Sequence, residues 1–486
     1  MTQKNIIIIG GGMAGLTTAA YLAREGFAVQ VFEQHTLPGG YISSYVRKGF
    51  TFPAGPTCFG SNGIIFPILK ELGLNEKQRF VRTGHQISWG KHDISLKNPA
   101  QTCRDLVKCF PDEKGALKRY FHWVKIGGTA FHDSLKSGMM FGHNVFKTIL
   151  QLGFQHPLFP WASWVANGHT NLSLHDRYFK DGYLRQILNQ LGFPVMAGKN
   201  TLGMWASYYY DTWIPIGGMQ AFADLFVRYI TENGGEVHLG KRIHRIRVEN
   251  RQATGVELQN GEFIPGNWVV SAADLKQTCL ELIGHNNLPS AMIDKLEKTR
   301  PSESLFAVFL GLSNNPELFA TLKRFNESHV VFTCADGKYI QLVLLSKDDP
   351  TVAPAGKHSL FIGSLSAFED WAPYKGNQQA YKVRKATYAD ELITRAEEFL
   401  PGLRAHIEVQ EAASPLTYER YTSNWHGSTS GWNWDPKYTP HFEFAKDLPI
   451  KNLYPVGHYV YNPGGVPTAM ITAWYIARNI VRQCGR

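Results

Sequence analysis

The stretch NIIIIGGGMAGLTTAAYLAREGFAVQVFE, residues 5–33, decides the fold. Residues 5–9 form a short β-branched run of the kind buried at the centre of a parallel sheet. Gly10, Gly12 and Gly15 follow with GxGxxG spacing. The first permits a tight turn and the second lets backbone approach a pyrophosphate. The third lets the next helix lie close to the strand, its N-terminal amides facing the phosphates. Residues 16–25 favour a helix, Gly26 stops it, and 27–32 read as a second strand. That strand ends at Glu33, about 20 residues past the glycines, where an acid accepts hydrogen bonds from a ribose hydroxyl. Strand, glycines, helix, strand and acid in this order predict a dinucleotide site. An acid at 33 disfavours a cofactor with a 2′-phosphate.

Two later segments are expected to rejoin this unit. WIPIGGMQAFADLFVRYITENGGEVHLGKRI (213–243) has apolar residues at Phe222, Leu225, Phe226, Tyr229 and Ile230, a helical period, then a strand over 236–239. Short alternating strands follow, with Asn260-Gly261 as a hairpin turn, and the chain returns to the main sheet through 268–272. NLYPVGHYVYNPGGVPTAMITAWYIARNIV (452–481) reads as a strand over 453–456, ended by Gly457. A loop over 462–467 then opens a helix whose N-terminus is a second anion-favouring end.

The chain of 486 residues is long enough for two interlocked domains. At 44% hydrophobic, 13% aromatic and 19% charged, it has the composition of a folded protein. No apolar run reaches the ~18 residues of a membrane span, and the N-terminus lacks the order of a signal peptide. Cys58, Cys103, Cys109, Cys279, Cys334 and Cys484 are scattered without a CxxC pair. They indicate neither a metal site nor a disulfide framework, and fit a reducing cytoplasm. The net charge of +10 suits an anionic partner or a merely solvated basic surface. With no zinc spacing, helix-turn-helix signal or RNA-binding aromatic motif, nucleic acid is not expected.

Several stretches together resemble one family: GFTFPAGPT (49–57), IPIGGMQAFADLF (214–226), VVSAAD (269–274), FLPGLRAHIEVQEAASPLTYERYTSNWHGSTSGW (399–432) and LYPVGHYVYNPGGVPTA (453–469). They are similar to the phytoene desaturase, carotenoid isomerase and retinol saturase group of flavoproteins, built on the amine oxidase superfamily fold. The resemblance implies an α/β chain: a Rossmann-like FAD-binding domain over 1–75, 210–275 and 450–486, interleaved with an α+β substrate-binding domain over 76–209 and 276–449. It implies FAD rather than NAD, because Gly39-Gly40 would let the chain pass close to the cofactor diphosphate. It also implies that Val237 lies beside the adenine, and that Gly457, Gly464, Gly465 and Val466 hold the flavin end. Tyr41 after the double glycine, Pro53 in place of an acid, a shortened loop at 463–467, and Ile471-Thr472 in place of a serine-glycine pair depart from the group's pattern.

No nucleophile triad, HExxH or paired-carboxylate motif stands out, so catalytic candidates come from position alone. They are His458, Tyr459, Tyr461 and Phe59, with His426 expected in a structural or hydrogen-bonding role and Trp432 as a further aromatic face. Aromatic rings could stabilise a cationic polyene intermediate or simply line a hydrophobic tunnel. The expected activity is desaturation, saturation or cis–trans isomerisation of a carotenoid- or retinoid-like isoprenoid. Electrons would pass to oxygen, a quinone or a separate reductase, since no second nicotinamide site appears. The alternatives are an amine oxidase-like enzyme with an acidic pocket, or a non-catalytic prenyl or lipid carrier on the same fold. Residues 141–165, rich in bulky apolar side chains with Lys147 and no acid, read as a membrane-contact face or as a lid. Residues 121–126, beside Arg119 and Lys125, could extend either. A peripheral place on the inner face of a membrane follows from the first of these readings.

Overall fold

The computed structural model describes residues 4–74, 79–136, 145–192, 195–435, 448–461 and 464–485, with the backbone alone at 145–149. The strand Asn5–Ile9 is the centre of a five-stranded parallel sheet. Across the sheet the order is Glu236–His238, Ala28–Phe32, Asn5–Ile9, Trp268–Ser271 and Leu453–Pro455. Three distant parts of the chain therefore build one sheet. Both faces of the central strand are dry, which is why it is apolar throughout rather than alternating. Ile6 and Ile8 pack with the helices Met13–Arg24, Met219–Glu232 and Val466–Gln483. Ile7 and Ile9 pack on the opposite side with the antiparallel strands Ile243–Glu249 and Gln252–Leu258. The strand Phe263–Pro265 completes that small sheet beyond the Asn260-Gly261 turn.

A second sheet has seven strands in the order Ile407–Ala413, Ser304–Leu312, His358–Ser366, Tyr339–Leu344, His329–Thr333, His85–Trp89 and His92–Ser95. All its pairs are antiparallel except His329–Thr333 with His85–Trp89. Ser304–Leu312 is buried on both faces and so reads as a continuous apolar run, its side chains alternating between two cores. Phe306, Val308 and Leu310 face the helix Gln378–Phe399, while Ala307 and Phe309 face Phe50 and Phe52 on the hairpin Ser44–Arg47/Phe50–Pro53. Gly311 is pressed against the Phe50 ring, where an added Cβ would lie 2.7 Å from it.

A helical layer completes the molecule. Lys114–Lys136, Phe159–Ala166, Asn171–Tyr178, Gly182–Asn189 and Gly198–Tyr210 surround Tyr120, Trp123 and Trp205. The Trp123 indole donates to the Ala162 carbonyl at 2.8 Å. Tyr120 is hydrogen-bonded to Trp205 Nε1 at 3.0 Å and to His175 Nε2 at 2.9 Å. Phe121, Trp123 and Val124 are buried in this layer, so residues 121–126 do not extend the exposed apolar face considered for them. All six cysteines are free thiols.

Burial holds His175, His329 and His458 at about 4, below the ordinary 6.5, because it penalises the imidazolium. The folded chain keeps them neutral where the unfolded chain takes up protons. Their contribution to stability is whole above the unfolded value and is lost as pH falls toward 4, at up to about 1.4 kcal/mol per pH unit for each ring. Thermal unfolding should therefore show Tm declining from pH 6.5 downward. His175→Gln should flatten the decline by about one proton's share, and equal slopes in the two proteins would contradict this origin.

Candidate active site

The site begins where the central strand stops. The Gly10 amide donates to the Phe32 carbonyl at 2.8 Å, closing the turn. An added Cβ at Gly15 would fall 2.0 Å from the Gly10 carbonyl oxygen, so the helix Met13–Arg24 can lie this close only with hydrogen there. At Gly12 an added Cβ would meet nothing within 4 Å, because that face opens into a cavity. The helix has no side-chain cap and no acid in its first turn, leaving its N-terminal amides and positive dipole end for a ligand. Gly39, at φ +116°, donates its amide to the Gly11 carbonyl at 2.7 Å and so clamps the second glycine turn onto the first. Gly40 lies directly against Gly12.

Glu33 is nearly buried at the end of the second strand. Its Oε2 accepts from the Gly11 amide at 2.7 Å and its Oε1 from the His35 amide at 2.9 Å. Each oxygen keeps a lone pair for a ribose hydroxyl. At the other end the Gly457 amide donates to Thr472 Oγ1 at 2.9 Å, so Thr472 has a definite task where the family pattern is broken. The helix Val466–Gln483 starts from Gly465, again without a side-chain cap or an acid in its first turn. Two uncapped helix ends, a glycine face open to the cavity and a buried carboxylate at one end fit a dinucleotide cofactor.

The cavity measures about 830 Å³ and is lined by Gly10, Gly12, Glu33, Gly39, Gly40, Gly457, Gly465 and Val466, together with Phe59, His458 and Tyr459. Other expected residues lie elsewhere. Gly15 works from beneath, through packing. Val237 packs into the core of the edge strand, and Lys241, Arg242 and Ile243 line the cavity in its stead. Gly464 is pressed on the Ser430 carbonyl, where an added Cβ would fall 2.0 Å away, and does not line the cavity. Tyr461 and Trp432 are also outside its lining, and the Trp432 indole donates to the Tyr459 carbonyl at 2.7 Å. His426 stacks flat on Phe368 at 4.2 Å, a structural contact away from the cavity. Residues 462–463 of the terminal loop lie outside the described residues.

Asp274 closes the VVSAAD motif and lines the cavity, although the motif alone signals no role for it. It is buried, and burial raises its pKa. Its Oδ1 accepts from the Lys276 and Gln277 amides at 2.7 and 3.1 Å, and Oδ2 from the Trp425 amide at 2.9 Å. Tyr459, which also bonds to Ser428 Oγ at 3.0 Å, is pushed well above the ordinary phenol range, chiefly by burial and then by the Asp274 charge. His458 is neutral for the reason given above. Neither side chain offers a ready proton acceptor near neutral pH. The Tyr41 hydroxyl donates to the Ser428 carbonyl at 2.8 Å, tying this group to the second glycine turn.

Away from the cradle the lining turns apolar. Leu305, Phe309, Phe361 and Leu365 come from the seven-stranded sheet and Phe59 from the short strand Phe59–Gly60 that follows the hairpin. Phe59 stacks on Phe222 at 5.3 Å. Glu411 is the third lining carboxylate and is paired with Arg47 at 3.3 Å, both half-exposed. Among the described residues no cluster of three or more His, Cys, Asp or Glu could hold a metal ion.

The open face at Gly12 gives a clean prediction. Gly12→Val should fold, losing only about 1 kcal/mol or less as a poorer N-cap, yet load no flavin after reconstitution, whereas Gly15→Ala should lose about 1–3 kcal/mol through overpacking. Flavin absorbance and thermal unfolding distinguish the two, and a fully loaded Gly12→Val protein would contradict the assignment of this cradle.

Known proteins place the architecture. The chain is 27% identical over 508 residues to the 4,4′-diaponeurosporene oxygenase of Staphylococcus aureus strain MW2, covering 98% of each chain. Its fold matches an oxidoreductase from Methanosarcina mazei at a TM-score of 0.63 and 17% identity, over 98% of this chain and 100% of that one. It matches putrescine oxidase bound to putrescine at 0.63 and 13% identity, over 99% of each. The model of the flavin containing amine oxidoreductases matches residues 13–481, and the chain belongs to that family.

Proposed function

We propose that this FAD-dependent oxidoreductase acts on the carbon–carbon framework of a long polyene of the carotenoid class. The observation that carries the reading is the cavity itself: a polar dinucleotide cradle continues into a wall of Leu305, Phe309, Phe361, Leu365 and Phe59. The three lining carboxylates are all engaged, Glu33 and Asp274 by backbone amides and Glu411 by Arg47. Among the described residues a cationic amine would find no free acid there, which weighs against an amine oxidase-like substrate. The intact glycine turns and uncapped helix ends weigh against a carrier without cofactor. The relative at 27% identity is named for 4,4′-diaponeurosporene, in keeping with this reading, and its name adds oxygenation to desaturation, saturation and isomerisation as outcomes.

In this reading 1–75, 210–275 and 450–486 make the FAD-binding part and the remainder the substrate part. Gly10, Gly12, Gly39 and Gly40 hold the diphosphate, Glu33 the ribose, and Gly457, Gly465 and Val466 the flavin end. The bound flavin supplies the two-electron chemistry. The aromatic wall holds the polyene in register and excludes water, and these are the protein's main contributions. Product mass settles the reaction: the purified, FAD-loaded protein is incubated with 4,4′-diaponeurosporene under oxygen and, separately, anaerobically with the flavin reduced. Any change in mass or in absorption spectrum supports the polyene reading. No change in either, by a fully loaded protein, overturns it.

The substrate is insoluble, and one surface suits its delivery. The helices Val145–Gln155 and Phe159–Ala166 and their junction expose Leu150, Phe154, Leu158, Trp161 and Trp164, with Phe154 86% and Trp164 69% accessible. Among the described residues no helix is long and apolar enough to cross a membrane. Aromatic and aliphatic side chains on a basic protein suit shallow insertion into an anionic bilayer, with an electron donor or acceptor reached from the same surface. The second helix packs with Gly198–Tyr210, which brings Ser207 to the cavity. Phe154→Ser/Trp164→Ser should reduce co-sedimentation with phosphatidylglycerol vesicles ~10-fold, and undiminished sedimentation would remove membrane contact from the proposal.

A further inference from the structure

We propose that Thr57, His329, Thr83 and Asp348 form a proton relay between the cavity and a second, smaller pocket. Thr57 lines both spaces. Its Oγ1 lies 3.1 Å from His329 Nε2, and His329 Nδ1 lies 3.0 Å from Thr83 Oγ1. Thr83 Oγ1 donates to Asp348 Oδ2 at 2.6 Å. Ser328 Oγ joins the chain at 3.0 Å from His329 Nδ1 and against Thr83. The smaller pocket, about 30 Å³, is lined by Ser328, His329 and Asp348 and has room for a water molecule. Asp348 is part-exposed, whereas His329, Thr83 and Ser328 are buried.

The chemistry of these groups fixes where each hydrogen points. A carboxylate only accepts, so Thr83 spends its single hydrogen on Asp348 and accepts from Nδ1–H. Nε2 is then the lone-pair nitrogen and accepts from the Thr57 hydroxyl. The line is polarised from cavity to carboxylate without a break. Asp348 is the charge that acts on His329, His85 lies with its ring 5.0 Å away, and Cys58 is the thiol next to Thr57. Burial holds both imidazoles and the Cys58 thiol in their neutral forms.

A proton leaving the cavity bonds to Thr57 Oγ1 while the hydroxyl hydrogen passes to Nε2. The Nδ1 hydrogen passes to Thr83, and the Thr83 hydrogen to Asp348. Each O–H or N–H bond that breaks is replaced by another. One proton enters, one arrives at the carboxylate, and His329 is left as its other tautomer. Run in reverse from that second state, with the hydrogen on Nε2 and Asp348 protonated, the line delivers a proton inward. Taking hydrogen from a carbon chain discards a proton and adding hydrogen consumes one, so either direction of redox chemistry uses the same path. The inference rests on the redox reading of the cavity only in that the proton count there must change.

The test uses the FAD-loaded protein without polyene, so failure of the substrate assignment leaves it intact. Anaerobic reoxidation of the reduced flavin by ferricyanide, which takes electrons alone, leaves a proton in the cavity, and a pH-indicator dye in weakly buffered solution times its release. Thr57→Val and Asp348→Asn should slow release by about 100-fold, while Thr57→Ser, which keeps the hydroxyl, should restore it. Wild-type release rates in both Thr57→Val and Asp348→Asn would overturn the relay. If either variant misfolds, 15N NMR of the His329 ring in the wild-type protein decides: the hydrogen on Nδ1 is expected, and a hydrogen on Nε2 overturns the proposal. A protein that loads no flavin would instead refute the cofactor assignment, and the ring tautomer can still be read from it.

Discussion

The hydrogen bond from the Gly39 amide to the Gly11 carbonyl, 2.7 Å long, is the constraint on which the rest of the site depends. It folds the chain leaving Glu33 back over the first glycine turn. From that point the chain runs through Tyr41 and Ile42 into the hairpin whose Phe50 and Phe52 pack on the seven-stranded sheet. Ser44 is held on the way by Gln220, whose Oε1 accepts its amide at 3.1 Å. One backbone contact therefore couples the parallel sheet that offers the cradle to the antiparallel sheet that offers the apolar wall. Both ends of the cavity inherit their spacing from it.

The same coupling explains why local sequence carried some features and not others. The strand, glycines, helix, strand and acid of 5–33 are a local pattern, and its elements fall within a few residues of their expected bounds. The returning strands at 268–271 and 453–455 were legible because buried parallel strands are short apolar runs between breakers. Val237 was expected beside the cavity through family likeness; Lys241, Arg242 and Ile243, a few residues on, line it where the chain turns away from the sheet edge. Asp274 was visible as an acid after a strand, but only tertiary structure brings the Trp425 amide to it, across 151 positions.

Contacts between distant residues were the least legible. Thr57 meets His329 across 272 positions, and Thr83 meets Asp348 across 265. Each is an ordinary polar residue in its own neighbourhood, with no spacing that marks it. They converge because the strand His329–Thr333 pairs in parallel with His85–Trp89, the one parallel pair in an otherwise antiparallel sheet. Thr57 comes from the loop that follows the hairpin. Sequence periodicity identifies such strands but is silent on which edge meets which.

The strand Ser304–Leu312 divides its labour by parity. Its even positions Phe306, Val308 and Leu310 belong to the core under the helix Gln378–Phe399, while Leu305 and Phe309 look into the cavity. Backbone pairing with strands on both sides fixes the register, so neither set can trade places with the other. A change at Leu305 can thus reshape the cavity without touching the core under the helix, whereas Phe309 also packs on Phe50 and Phe52 and Gly311 lies against the Phe50 ring. Selectivity and stability are written on opposite faces of one strand, and these two positions are where they meet.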